Sequence, residues 1–222
     1  MKTKTKGLKS GLKEKSRALE IISILGREYP EARIALKFGN EWELLVATEL
    51  SAQCTDKKVN EVTEKLFKKY RSVTDYASVD PEEFQADIRP TGFFRNKAKN
   101  IIGAANMIIT EYGGRLPRTM TEMTKLPGVA RKTANIILGN TFGVVEGIAV
   151  DTHVGRLARR LGFSSGDNPV VVERDLMALL PKDEWFRATY LLIEHGRAVC
   201  AAKKVRCDIC AVSGLCPSAY KV

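Results

Sequence analysis

Apolar residues recur every three to four positions along most of this chain, and this spacing predicts α-helices. In residues 56–70 the pattern places Val59, Leu66 and Tyr70 on one face of a helix. Residues 95–112 repeat the pattern and are followed by two glycines, which favour the turn that closes a helix. The two longest periodic stretches are therefore both helical.

Helix-start signals support the same conclusion. Asp80 followed by Pro81 predicts an N-cap and a first helical residue. No segment alternates between apolar and polar residues as a half-buried strand does, and no internal repeat is found. We therefore expect an all-α fold. Further helices are predicted at residues 42–52, 121–126, 131–138, 152–161, 169–180 and 184–198.

The charge is basic but unevenly distributed. Lysine and arginine number 36 against 26 acidic residues, which gives a net charge of +10 and a pI near 9.4. Six lysines lie in residues 1–16, which we expect to be a disordered tail that solubilises the protein, directs it to a compartment or binds DNA. Because the charge is divided between this tail and the remainder, it favours a polyanionic partner only weakly.

Composition excludes a membrane span. No apolar stretch approaches the ~20 residues that a span needs, and the N-terminus lacks the apolar segment of a secretory signal. We expect a soluble intracellular protein, cytoplasmic or in the nucleoid if the source is prokaryotic. Four of the five cysteines lie in the last 23 residues, and in an intracellular chain such crowding favours a metal site over disulfides.

Residues 121–139 predict two short helices joined by a tight turn. Pro127 cannot continue the first helix, and Gly128 can adopt the positive φ that a tight reversal requires. The second helix then begins with free backbone N–H groups, which can bind a phosphate of DNA without reading its sequence. A plain helical corner remains an alternative. The residues of the predicted contact are Gly128, Val129, Ala130 and Arg131.

The string Leu-Pro-Gly-Val-Ala-Arg-Lys-Thr-Ala at residues 126–134 resembles the helix–hairpin–helix of the DNA glycosylase superfamily, and specifically that of the endonuclease III family. Many members have a second glycine where this chain has Ala130. The departure costs little if Ala130 is right-handed helical. The resemblance extends over residues 17–217 and leaves out only the lysine-rich tail.

The resemblance implies that Lys132 is a nucleophile. A lysine attacks only as the neutral amine, and the positive end of a helix dipole disfavours the ammonium. A phosphate contact by Lys132 is the alternative. Residues 147–154 resemble the family's aspartate motif, with Asp151 as the carboxylate that stabilises positive charge on the sugar. Asp151 would also serve as an N-cap, and we interpret His153 as structural.

The implied activity is excision of oxidised or ring-saturated pyrimidines from duplex DNA, followed by strand cleavage. The damaged nucleotide leaves the stack, Lys132 displaces the base as a Schiff base forms, and β-elimination cuts the strand. Two alternatives remain: a monofunctional mismatch glycosylase, and a non-catalytic DNA-binding module. The expected partner is double-stranded DNA with damaged bases or abasic sites, bound by a monomer with no membrane partner.

The sequence spacing between four cysteines near the C-terminus predicts a metal site. Four thiolates suit either a 4Fe–4S cluster or a tetrahedral zinc, and the spacing does not choose between them. The resemblance implies the cluster, with a structural role. Cys54 we interpret as a small packed side chain. The four predicted ligands are Cys200, Cys207, Cys210 and Cys216. Between the first two lie the basic residues Lys203, Lys204 and Arg206. These basic side chains either contact the DNA backbone or are solvated charges.

The resemblance also implies two loops that fill the gap left by the extruded nucleotide. The Leu-Ser-Ala-Gln string at residues 50–53 places Gln53 opposite the orphaned base, and the loop after Gly92 supplies Phe93 as an apolar wedge. An aliphatic residue is commoner than phenylalanine at that position. Phe93 as an ordinary core residue is the alternative.

The implied architecture has two helical lobes with the active site in the cleft between them. Residues 34–146 would form a six-helix lobe that contains the hairpin. Residues 17–33 and 147–222 would form the iron–sulfur lobe from both termini. No large domain follows the cysteines, which argues against the related adenine-mismatch glycosylases, and those also lack the hairpin lysine.

Overall fold

The computed structural model describes the backbone of residues 2–222 and the side chains of residues 11–222, and its regular structure is helical. Within this described part no sheet forms, and Cys200 pairs with Val205 in an isolated antiparallel bridge. The all-α prediction is confirmed. The α-helices are α1 (Lys2–Glu28), α2 (Glu41–Leu50), α3 (Asp56–Lys69), α4 (Val73–Ser78), α5 (Pro81–Ile88), α6 (Phe94–Tyr112), α7 (Met120–Met123), α8 (Arg131–Phe142), α9 (Thr152–Arg160), α10 (Pro169–Leu179) and α11 (Lys182–Ala198), and short 3₁₀ helices span Arg89–Thr91, Cys207–Ile209 and Ser213–Leu215.

The chain divides into two compact units. The middle unit is Ala35–Glu146 and contains α2 to α8. The terminal unit combines the residues up to Ile34 with Gly147–Val222. Where six helices were expected in the middle unit, its described residues form seven. The additional helix is α4, which a capping box between Ser72 and Asp75 starts and which is too short for periodicity to reveal.

The N-terminal helix corrects one expectation. Residues 1–16 were predicted to be a disordered tail, but α1 runs without a break from Lys2 to Glu28. The segment is rich in lysine, which is a good helix former. It extends a helix whose inner part is anchored by buried Ile21 and Leu25, and extending an existing helix costs much less than starting one.

The predicted helix starts are confirmed by their caps. Asp80 Oδ1 accepts hydrogen bonds of 2.9 Å from the backbone N–H groups of both Glu82 and Glu83. At the end of α6, Gly113 adopts a φ of 60° and Gly114 N donates to Ile108 O at 2.9 Å. A left-handed residue is the usual way for a helix to end.

None of the helices described within residues 2–222 has the length and apolar character that crossing a membrane requires.

The core of the terminal unit joins the two ends of the chain. Buried leucines and isoleucines of α1 belong to the same apolar cluster as residues of α9, α10 and α11. Arg17 reinforces this join, because its Nη1 donates to Leu161 O at 2.7 Å and to Leu215 O at 3.1 Å. The end of α9 and the cysteine-rich segment are thereby held on one framework.

The middle unit is built around α6, which contacts α2, α4 and α5. Four aromatic side chains pack edge-on or tilted against one another at ring-centroid distances of 5.2–5.7 Å. Because α8 packs against both α2 and α7, the hairpin is fixed to this core. The four aromatic residues are Trp42, Tyr70, Tyr76 and Phe84.

Candidate active site

The predicted hairpin is present, and Gly128 is indispensable to its turn. Gly128 has a φ of +82°, and a Cβ at this position would collide with the carboxylate of Glu49 and the amide of Asn100. Glycine is therefore favoured by the backbone conformation, and a larger residue would also have to displace the side chains of Glu49 and Asn100. Val129 is buried, and its N–H donates to Leu126 O at 3.0 Å. The turn thus rests against α2 and α6.

Ala130 departs from the expected conformation. Its φ of −81° and ψ of 168° are extended and not right-handed helical, the condition under which the departure was expected to cost little, because the residue is the N-cap of α8 and not part of it. Alanine adopts these angles without strain, since φ is negative. Replacing the family's second glycine by alanine therefore leaves the turn intact.

The N-terminus of α8 carries the chemistry expected of the hairpin. Among the described side chains none caps it, so the first backbone N–H groups keep their capacity to bind an anion. Lys132, the second residue of α8, is exposed. Arg131 is exposed too, and its guanidinium donates to Glu146 O at 3.2 Å, which holds it beside the turn.

Glu49 is a buried carboxyl group that sequence reasoning missed. Its residue is only 7% exposed, and burial raises its pKa to about 7, against the weaker opposing effects of a hydrogen bond from Asn100 and of the charges of Lys97 and Lys132. A carboxyl group with this pKa titrates near neutrality. The available signal was a glutamate that interrupts the apolar run of residues 44–50.

The two predicted wedge residues have an uncommon backbone conformation. Gln53 has a φ of 52° and Phe93 a φ of 49°, and both lie in the left-handed region that non-glycine residues rarely occupy. Such a conformation costs about 1–3 kcal/mol for each residue. Phe93 is 61% exposed, so the alternative of a core residue is wrong. Both side chains are presented at the surface of the middle unit.

Asp151 is the N-cap of α9, as predicted. Its Oδ1 accepts a hydrogen bond of 2.8 Å from Val154 N. The second oxygen, Oδ2, lies 3.3 Å from His153 Nδ1. Its side chain is 30% exposed. The carboxylate is therefore oriented by the helix on one side and by the imidazole on the other, which gives His153 a definite structural contact.

The four C-terminal cysteines line one cavity. Its volume is about 390 Å³ including space open to solvent, and its walls include Leu157, Val199 and Val212. Arg160 donates to Cys200 Sγ at 3.3 Å. Hydrogen bonds to sulfur and apolar walls are features that tune iron–sulfur sites. The lining thiols are those of Cys200, Cys207, Cys210 and Cys216.

Among the residues that the structure describes, no group of three or more His, Cys, Asp or Glu side chains is arranged so that it could hold a metal ion. Burial raises the pKa of both Cys210 and Cys216, and the neighbouring cysteines raise it further, whereas backbone hydrogen bonds lower it. Cys54 is half-buried and belongs to the middle unit, whereas these four cysteines belong to the terminal unit.

The basic loop between the first two cysteines is closed by the Cys200–Val205 bridge. Lys203, Lys204 and Arg206 are exposed on it. Arg206 also donates from its guanidinium to Ala198 O, which ties the loop to the end of α11. The bridge presents the three cations on a short, constrained segment.

Comparison with known proteins relates the chain to DNA repair enzymes. The model of the "HhH-GPD superfamily base excision DNA repair protein" matches residues 46–182. Endonuclease III of Synechocystis sp. is 50% identical over 206 residues, which cover 93% of this chain and 94% of the relative. Endonuclease III of Bacillus subtilis is 47% identical over 198 residues, covering 89% and 90%.

A solved structure of a trapped Endonuclease III–DNA covalent intermediate, an estranged-adenine complex, has a TM-score of 0.89 against this chain. The two sequences are 44% identical, and the match covers 93% of this chain and 97% of the other.

The raised pKa of Glu49 predicts how stability depends on pH. Because folding favours the protonated carboxyl group, its contribution is complete below about pH 4.5 and is lost as pH rises through about 7. Between about pH 5 and about pH 8 the free energy of unfolding of the wild type should fall relative to that of Glu49→Gln, by on the order of 2–3 kcal/mol. Urea denaturation at each pH measures this difference.

The matched control is Glu64→Gln, which removes the same charge from a glutamate whose side chain is 73% exposed. Its stability profile should run parallel to that of the wild type. If the wild type and Glu49→Gln also give parallel profiles, the assignment of a buried, neutral Glu49 is wrong.

Proposed function

The chain belongs to the HhH-GPD superfamily of base excision DNA repair proteins, and from that membership we propose that it removes oxidised or ring-saturated pyrimidines through a lysine Schiff base. The relatives and the solved DNA complex together support a base-excision-repair DNA glycosylase of the endonuclease III type. Its partner is double-stranded DNA that contains damaged bases or abasic sites. We propose that it acts as a monomer. We also propose that it is intracellular, in the cytoplasm or nucleoid if the source is prokaryotic.

One observation carries the proposal: Lys132 lies in the first turn of a helix that begins, without a side-chain cap among the described residues, directly after the Gly128 turn. The backbone N–H groups of this turn would hold a phosphate and so bring the neighbouring deoxyribose to the amine.

The proposed chemistry begins when Lys132 Nζ forms a bond to C1′ of the extruded nucleotide. The C1′–N bond to the base breaks, and the base leaves with its electron pair and takes up a proton. Opening of the sugar ring then leaves an iminium ion between Lys132 and C1′. Loss of a C2′ proton expels the 3′ phosphate, and the strand is cut.

Asp151 is proposed as the carboxylate that stabilises the positive charge on the sugar as the base departs. Two contacts support this role by fixing its orientation: the cap to Val154 N and the approach of His153 Nδ1. The carboxylate keeps 30% of its side-chain surface exposed, so it remains accessible while it caps α9.

The DNA contacts are proposed to come from two kinds of residue. Gln53 and Phe93 would fill the gap in the duplex, which their exposure and left-handed backbone support. The hairpin and the basic loop would hold the phosphate backbone and make the affinity dependent on salt. These phosphate contacts are Gly128, Val129, Ala130, Arg131, Lys203, Lys204 and Arg206.

We propose a 4Fe–4S cluster as the group held by the four cysteines. The shared cavity, its apolar walls and the hydrogen bond to Cys200 Sγ support a cluster. Four thiolates suit either a cluster or a tetrahedral zinc, and similarity to the endonuclease III relatives favours the cluster. When bound, the cluster supplies a crosslink that holds residues 200–216 folded, and these residues present the basic loop.

Replacement of Lys132 tests the nucleophile. With Lys132→Ala and Lys132→Arg, borohydride should trap no covalent adduct on a duplex that contains thymine glycol, and base release should fall at least about 10³-fold. Lys132→Arg keeps the charge, so DNA binding by that variant should persist. The exposed Lys125 of the same hairpin supplies the control, since Lys125→Ala should still form the adduct.

Three outcomes distinguish the alternatives. Retained base release and cleavage in Lys132→Arg would make Lys132 a phosphate contact. Base release by the wild type without strand cleavage would indicate a monofunctional mismatch glycosylase. DNA binding by the wild type without either reaction, on thymine glycol, dihydrouracil, 8-oxoguanine and abasic duplexes, would leave only a binding module.

The metal assignment is tested by the colour and composition of the purified protein. We expect a straw-brown protein with broad visible absorption, and close to four irons and four sulfides per chain. Cys207→Ala should lose both the colour and the iron, whereas Cys54→Ser should keep them because Cys54 lies outside the thiol cavity. A colourless protein containing zinc would contradict the assignment.

A further inference from the structure

Lys97 is a buried lysine whose ammonium group joins two separate loops. It lies in the first turn of α6, and only 4% of its surface is exposed. Its Nζ donates to Leu50 O and to Thr91 O, each at 2.8 Å. Both acceptors are backbone carbonyls, so the contacts do not depend on which side chains the loops carry.

Each of these carbonyls lies where a helix ends. Leu50 is the last residue of α2, and Thr91 is the last residue of the 3₁₀ helix Arg89–Thr91. Carbonyls at the end of a helix lack partners within the helix and carry partial negative charge, which favours a cation. An ammonium group has three donors, so one lysine can satisfy both ends at once.

The two loops that follow these helix ends hold the left-handed residues. Gln53 comes three residues after Leu50, and Phe93 comes two residues after Thr91. A left-handed non-glycine residue persists only where the surrounding structure fixes the chain. Lys97 fixes the chain immediately before both residues, and the same atom does so for both loops.

Packing alone does not explain a lysine at this position. An ammonium group loses hydration on burial, and a hydrophobic residue of similar volume usually fills such a space at a lower free-energy cost. Burial lowers the pKa of Lys97, while Cys54 and Glu49, the acidic groups near it, raise the pKa. The loss of hydration when the amine is buried is therefore offset by its two hydrogen bonds to backbone carbonyls.

We propose that Lys97 is a positioning residue that holds the two wedge loops in register, so that Gln53 and Phe93 enter the duplex together when the damaged nucleotide leaves. The proposal rests on the proposed function, because it assigns Lys97 to the step that opens the duplex. Lys97 takes no part in the covalent chemistry at C1′. Its loss should therefore matter only where a duplex must be opened.

The test compares Lys97→Met with Lys99→Met on two substrates. Lys99 lies on the same helix and is exposed, so its replacement removes the same charge without touching the buried contacts. For Lys97→Met, kcat/KM for base release from a thymine glycol duplex should fall about 10- to 100-fold. Cleavage of an abasic site in single-stranded DNA, which requires no opening, should change less than about 3-fold. Lys99→Met should match the wild type on both.

A spectroscopic readout follows the wedge directly. 2-Aminopurine placed beside the lesion in the duplex brightens when it is unstacked, and this increase should occur with the wild type and with Lys99→Met but be reduced with Lys97→Met. Thermal unfolding checks that each variant is folded. If Lys97→Met does not fold, Lys97→Gln replaces it, because its amide keeps two N–H donors, and the same selective duplex defect is expected at a smaller size.

The outcomes separate the two proposals. If the wild type cleaves neither substrate, the proposed function fails. If the wild type cleaves both and the folded Lys97 variant loses activity equally on both, or keeps full duplex activity with an unchanged 2-aminopurine signal, then the positioning role of Lys97 is wrong while the proposed function stands.

Discussion

The turn between α7 and α8 depends on the absence of a side chain at residue 128. Its φ of +82° favours glycine, and the carboxylate of Glu49 occupies the space that a Cβ would need. The start of α8 is therefore fixed against a buried carboxyl group of α2. That start determines where the uncapped N–H groups point and where Lys132 leaves the helix. The proposed anion contact and the proposed nucleophile both depend on this close packing.

The middle unit concentrates unfavourable features around the same elements. Glu49 and Lys97 are ionisable residues that are almost fully buried, and Gln53 and Phe93 have left-handed backbones. A chain selected for stability alone would avoid all four. Their proximity in the fold has a common physical explanation: the ends of α2 and α6 must hold a turn and two loops in conformations that local propensity does not favour. Strained and buried polar groups are expected at sites of function.

The sequence predicted the features that depend on local chemistry. The caps at Asp80 and Asp151 follow from side chains that compete for free N–H groups, and the hairpin turn follows from Pro127 and Gly128. Periodicity located α3, α6 and α11. It missed α4, which a capping box starts over only six residues, and it did not predict α1, whose first part is lysine-rich and has no regular apolar face to detect.

The contacts of Glu49 and Lys97 could not be predicted from the sequence. Each depends on tertiary packing. Gly128 of the hairpin lies against Glu49, and the backbone carbonyls at two helix ends accept hydrogen bonds from Lys97. Neither a backbone carbonyl nor the space above a glycine leaves a pattern in the side-chain sequence. The extended conformation of Ala130 could not be predicted either, since an alanine fits helical and extended angles equally well.

The central claim is that one amine, that of Lys132, becomes covalently bonded to the deoxyribose. Mass spectrometry of the borohydride-reduced complex, after digestion of both protein and DNA, locates that bond. The account predicts a sugar remnant on Lys132 and an unmodified Lys125 in the same digest. A remnant on another lysine, or on the N-terminal amine, would contradict it.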